Sequence, residues 1–222
     1  MKWSEYFFRQ SRAQRLRPKI CFQTTISGNT ASKSLLMPEA GSLTKLSELE
    51  LPAVPYRGRI LQAKAIVTPF AHTRITLRDN VLQLALSAME ADKRVIANNL
   101  SVHVCNWLRS QARRAFCEDV ETQKVQHGFT YQSVSIKDTR SRWGSCSARK
   151  NLNFNWRLIM APDDVLSYVV THETAHLSHL DHSIEFWKLV GERCPGYLHQ
   201  KDWLRRNGAS LMNWDFVVKT AR

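Results

Sequence analysis

The run VVTHETAHLSHLDHSIEFW, residues 169–187, sets four histidines (His172, His176, His179 and His182) among apolar residues. It constrains the fold more than any other stretch, because His172-Glu173-Thr174-Ala175-His176 reads H-E-x-x-H. Residues four apart on an α-helix share one face, one turn above the other. Two imidazoles so placed can take two corners of a tetrahedral zinc site. Glu173 lies about 100° round the helix from His172, since a turn takes 3.6 residues. It is badly placed as a ligand and well placed beside a water on the metal. Zinc lowers the pKa of such a water to about 7, and a neighbouring carboxylate can take its proton. The chain therefore needs a helix here and a fold that returns a third ligand to it.

His179 and His182 are the nearby candidates. His179 lies seven residues past His172, about 10 Å along the axis of a continuing helix, above the site rather than beside it. His182 can return only if the helix ends first. Leu180-Asp181 allows a turn, and Ser183 is a good N-cap for a following helix. We therefore expect one Zn2+ ion per chain, held by His172, His176 and His182, with Glu173 as catalytic base and His179 off the metal. The same spacing occurs in metzincin proteases, which carry glycine at the spacer position held here by His179. The turn must then be made another way. Val165, Tyr168, Val169, His172 and His176 share one helical stripe, so the ligand face is also the buried face. A buried imidazole without a partner is costly, which coordination would explain. H-E-x-x-H can also arise by chance on a core helix. The third histidine, the helix phase and Pro162 at the helix start argue against chance.

The 222 residues, 43% of them apolar, suit one sizeable domain with a tail and exclude global disorder. No apolar run approaches the ~18–20 residues that span a bilayer, and no secretory signal is evident at the N-terminus. The five cysteines (Cys21, Cys105, Cys117, Cys146, Cys194) are odd in number and form no C-x-x-C. That disfavours a disulfide framework or a cysteine-rich zinc site and fits a cytoplasmic location. A net charge of +13 favours an anionic partner (nucleic acid, nucleotide or acidic surface) without identifying one.

Residues 1–50 read as a basic N-terminal extension and a Ser/Thr-rich linker, partly disordered. Residues 1–20 carry six basic groups and one acid; an amphipathic surface helix or a transit peptide are alternatives for them. Residues 51–222 read as the hydrolase domain, with β-hairpins and helices over 51–130 and the metal-site core over 131–210. RILQAKAIV and RITLRDNVLQLAL alternate apolar and polar residues, and Asp79-Asn80 reads as a tight hairpin turn. From about Ala91 the period becomes helical, with Val104, Trp107, Leu108, Ala112 and Ala115 on one side. YQSVSI returns to a strand, and RWGSCSARKNLNFNW reads as a hairpin turning over 148–151. Pro162 opens a helix over 162–180, with Asp163 and Asp164 at the positive end of its dipole. A second helix is expected from Ser183 to Arg193. A third, LHQKDWLRRNG, is expected to stop at Gly208.

These residues resemble the YgjP-like metal-dependent hydrolases, minimal zincins related to SprT-like metalloproteases. The likeness rests on R-W-G-S-C-S at 142–147, L-N-F-N-W at 152–156, Ala161-Pro162 and the Y-V-V-x-H-E-x-A-H-L helix. It continues through H-S-x-x-F-W at 182–187 and K-D-W-L at 201–204. It is strong over about 130–208 and weaker over about 56–130. Thr174 stands where the family usually has leucine. The resemblance implies an α+β, zincin-like fold: a small twisted β-sheet packed on an active-site helix bearing HExxH, with further helices. It also implies zinc on His172, His176 and His182 with Glu173 as base. The hairpin 142–156 is the candidate border of the cleft, where an extended peptide would pair by strand addition.

Residues 137–157 carry six basic groups and one acid, so a cleft bordered by this hairpin would be cationic, and arginine suits phosphate oxygens. The candidate substrate-binding residues are Arg140, Arg142, Trp143 and Asn153. Trp143 either stacks on a base or packs in the core, the commoner lot of a strand tryptophan. The leading expectation is a zinc-dependent, metallopeptidase-like hydrolase acting on a peptide. One alternative, implied by the resemblance, is a nucleoside triphosphate (UTP) pyrophosphatase on the same site. Another is a DNA-associated SprT-like protease. A third is a non-catalytic structural-zinc module, which would need Cys146 or His179 as fourth ligand and leave Glu173 without a task.

Overall fold

The computed structural model describes residues 49–68, 72–87 and 93–220. Nearly all of the expected basic extension and linker lies outside these residues. The strands are β1 (Leu49–Glu50), β2 (Val54–Tyr56), β3 (Arg59–Thr68), β4 (Arg74–Arg78) and β5 (Val81–Ser87), then β6 (Ser133–Lys137), β7 (Gly144–Cys146), β8 (Asn151–Asn155) and β9 (Lys219–Thr220). The helices are α1 (Lys93–His127), α2 (Asp163–Ala175), α3 (Ile184–Arg193) and α4 (Tyr197–Asn213), with a 3-10 turn at Trp156–Met160. The strands form sheets ordered β2-β3-β5-β4 and β6-β8-β7, and β1 pairs with β9. The fold is α+β, with the small sheet β6-β8-β7 beside the helix that bears H-E-x-x-H, as the resemblance implies.

In the first sheet Leu82, Leu84 and Leu86 alternate inward along β5 and are buried, the period-2 pattern of a strand with one covered face. β4 lies at the edge and keeps both terminal arginines exposed. Asp79 and Asn80 join β4 to β5 with φ of 45° and 64°. Paired positive φ values give the turn whose twist matches that of the flanking strands. The β2–β3 turn uses the same device at Arg57 and Gly58, with φ of 49° and 73°. It docks on the start of α2. Arg57 N donates to Ile159 O at 2.8 Å, Gly58 N to Met160 O at 3.2 Å, and the Arg57 guanidinium pairs with Asp163 at 2.7 Å.

α1 has 35 residues and so spans about 50 Å. Leu100, Val104, Leu108, Ala112, Phe116 and Val120 recur every fourth residue and are all fully buried, while Trp107 and Ala115 are only partly covered. Phe116 stacks on Phe154 of β8 with centroids 4.4 Å apart, fixing the second sheet to this helix. There β6 runs parallel and β7 antiparallel to β8, which places Ser135, Asn153 and Ser145 side by side. Leu152 and Phe154, next along β8, point into the core and are fully buried. The turn expected over 148–151 closes through Lys150 N on Ser147 O at 2.8 Å.

Two expected helix boundaries are corrected. The helix expected over 162–180 is Asp163–Ala175, with Pro162 at its cap rather than in its first turn. The last helix does not stop at Gly208 but runs on to Asn213. Gly208 is required for contact instead: a Cβ there would lie 3.1 Å from Cζ2 of the buried Trp143. Glycine in a helix interior costs roughly 0.5–1 kcal/mol relative to alanine. Here it lets a helix backbone rest on an indole.

Candidate metal centre

α2 carries His172 and Glu173, and His176 forms its C-cap. The helix ends without glycine. Leu177 N bonds Thr174 O at 3.1 Å, and Ser178 N and His179 N both reach Ala175 O at 3.1 and 3.0 Å. This tight last turn reverses the chain with no positive φ at residues 176–182. Histidine therefore serves where metzincins use glycine. The His176 ring closes the turn: Nδ1 lies 2.9 Å from His179 O, donates to that carbonyl and leaves Nε2 for the site. Beyond the reversal Asp181 Oδ1 accepts from Ser183 N at 3.2 Å. Ser183 Oγ then caps α3 by accepting from Phe186 N at 3.4 Å.

These local devices carry His182 back to the helix. Its Nε2 lies 3.1 Å from His172 Nε2, close to the separation of about 3.3 Å between two ligands 2.0–2.1 Å from a tetrahedral zinc. One nitrogen each from His172, His176 and His182 lies within 4.8 Å of the others, and among the described residues these three form the group able to hold a metal ion. Phe186 packs against all three rings, with centroids at 5.0, 4.5 and 4.8 Å. Trp187 lies along His182 at 5.7 Å and stacks on Tyr197 at 5.4 Å. The Lys201 ammonium sits 4.2 Å over the Trp187 ring.

Burial, then the charges of His176 and His182, pushes His172 well below its ordinary pKa of 6.5. Burial and the charge of His176 bring His182 down to about 4, and burial lowers His176. All three rings are thus neutral at neutral pH, the form that takes a metal. The geometry, the protonation state and the His176 tautomer fit a zinc ion.

Glu173 is 1% exposed. It lies under β7, where a Cβ built on Gly144 would fall 2.5 Å from Glu173 Oε1. Cys146 is on the same strand. Burial, then the Glu173 charge, pushes its thiol up to about 11. His179 turns its carbonyl to His176. Neither residue joins the three imidazoles among the described residues, so the fourth ligand of a closed structural site is missing there.

The substrate candidates separate. Arg142, Trp143 and Asn153 line a cavity of about 200 Å³ with Lys137, Thr139 and Ser145, while Arg140 is exposed outside that lining. The Trp143 side chain is fully buried, so its ring belongs to the core and stacks on no base. Sequence reasoning missed Gly144 as the seat of Glu173, and missed the packing of Phe186 and Trp187 on the imidazoles. For the aromatic pair a signal existed, since they follow His182 by four and five residues, in the first turn of the next helix. For Gly144 none did, because its partner lies 29 residues away.

A family model described as YgjP-like, metallopeptidase domain, matches residues 49–207. A crystal structure of the metallopeptidase zymogen of Pyrococcus abyssi abylysin is similar at 20% identity over 41% of this chain and 93% of that one, with a TM-score of 0.39. No curated protein matches the chain.

Proposed function

Because the chain belongs to the YgjP-like metallopeptidase-domain family, a metal-dependent hydrolase family, we propose that it is a zinc peptidase working at the His172, His176 and His182 site. The observation that carries this reading is the convergence of one nitrogen from each of three imidazoles within 4.8 Å, next in sequence to the buried Glu173. Bound zinc would acidify and polarise a water there. Glu173 accepts that proton, and β7 above it keeps the carboxylate in place. The Phe186 and Trp187 rings pack on the imidazoles and hold their orientation. β7 pairs with β8 on one side only among the described strands, so its other edge can hydrogen-bond an extended peptide.

We take residues 51–222 as the catalytic domain. The family description supports a peptide, and nothing in the comparisons supports a nucleotide or nucleic acid. No described helix is long and apolar enough to cross a membrane. The four described cysteines are unpaired, which supports a cytoplasmic setting.

Glu173→Gln tests the assignment. It should keep one zinc per chain, measured by elemental analysis, and lose cleavage of an unstructured protein by a factor of at least ~100. Full activity in this variant would remove Glu173 from the mechanism, and loss of zinc would make it structural.

A further inference from the structure

Gly144 separates two features. One side of it abuts the Glu173 carboxylate, and the residue also lines the cavity of about 200 Å³ on the outer part of the second sheet. Part of its lining is polar, and those side chains already pair within the protein. Asn153 Nδ2 donates to Ser145 Oγ at 3.2 Å, and Asn155 is buried, with Nδ2 on Thr139 O at 2.6 Å. Its charged lining is Lys137 and Arg142, both exposed, and none of the lining residues is acidic. Asp138, next in sequence, does not neutralise them. Its carboxylate pairs with Arg109 at 2.7 Å and with Arg157.

A peptide laid along the open edge of β7 presents successive side chains to opposite faces of the sheet. One faces Glu173 and the imidazoles, and the next faces the cavity. Small-molecule pockets run about 300–1,000 Å³, so a space of 200 Å³ suits one side chain better than a nucleoside triphosphate. We propose that this cavity is a specificity subsite for an acidic side chain, Asp or Glu, adjacent to the scissile residue of a peptide paired with β7, its carboxylate drawn to Arg142 beside that edge and to the charge of Lys137 across the cavity. The subsite deepens the peptidase reading given above and rests on it.

The test offers the zinc-loaded full chain a series of unstructured peptides in which Glu, Gln or Lys is scanned through the positions flanking the cleaved bond. Charge-assisted hydrogen bonds should favour Glu over Gln by about tenfold in kcat/KM at one position, with the neighbouring positions indifferent. Lys137→Ala with Arg142→Ala should level that ratio, and Lys137→Glu with Arg142→Glu should turn it toward Lys. The same peptides are titrated into zinc-loaded Glu173→Gln by fluorescence anisotropy, which reads binding without turnover. Cleavage with no acidic preference, or a preference that survives both double variants, overturns the subsite and leaves the peptidase reading standing. Selective binding by Glu173→Gln with no cleavage by the unaltered chain keeps the subsite and overturns the peptidase reading. Absence of both overturns both. A nucleoside triphosphate that displaces the Glu peptide and loses its hold on the alanine double variant reassigns the cavity to phosphate.

Discussion

Glu173 and Gly144 constrain each other. A Cβ at 144 would sit 2.5 Å from Oε1 and 2.6 Å from Cγ of Glu173, distances at which one group must move. Gly144→Ala should therefore displace the carboxylate while leaving the imidazoles in place. Shifts of about 1 Å in a reacting group cost on the order of 100-fold in rate. We expect kcat to fall by about that factor with the zinc content unchanged, read by turnover and elemental analysis on the same sample. Normal turnover would show that the carboxylate position is not critical. At this scale H-E-x-x-H was legible, because a helix converts a spacing of four into a shared face. The seat of Glu173 was not, because it is a contact through space between two segments. The buried fate of Trp143 was one of two open readings, and its contact with Gly208 decided it.

Whether the third histidine comes within reach of the other two depends on how elements end. α2 stops at Ala175, and the chain reverses through a turn closed by the His176 ring on His179 O. α3 then starts from the Ser183 cap. Ser183→Ala should cost about 1 kcal/mol of stability, the usual worth of such a cap. It should also weaken zinc binding, since His182 immediately precedes the cap. Thermal melts of the metal-free chain and a competitive zinc titration separate the two effects, and unaltered zinc affinity would show that the turn before Ser183 holds His182 unaided. The start of α3 was readable because capping chemistry is local. The end of α2 was misread by five residues, since 3-10 turns at a helix end need no glycine signal. Gly208 was misread for the opposite reason: its local tendency to end a helix is outweighed by packing on Trp143.

Across the whole molecule, the candidate metal site sits on a packed core of its own. His172 lies on a helix whose Val165, Val169 and Val170 are fully packed, and whose N-terminus is clasped by the β2–β3 turn. Removing zinc with a chelator should leave the far-ultraviolet circular dichroism of the folded chain intact and lower Tm, with recovery on adding zinc. The gain follows RT ln(1 + [L]/Kd), about 4 kcal/mol at a thousandfold excess over Kd. Unfolding on chelation would instead make the metal part of the fold, as in small zinc domains.

The amino-acid order by itself pointed to the candidate metal ligands, the helix that presents the first two, the tight turns and the α+β character. Each of these follows from periodicity or from the conformational preference of a few neighbouring residues. Only the tertiary structure decided that His182 returns to within 3.1 Å of His172. It also decided that Gly144 faces Glu173 and that Arg142 and Lys137 share a cavity from which Arg140 is absent. These are contacts between segments brought together by burial of the core, and burial energy depends on area covered rather than on separation along the chain.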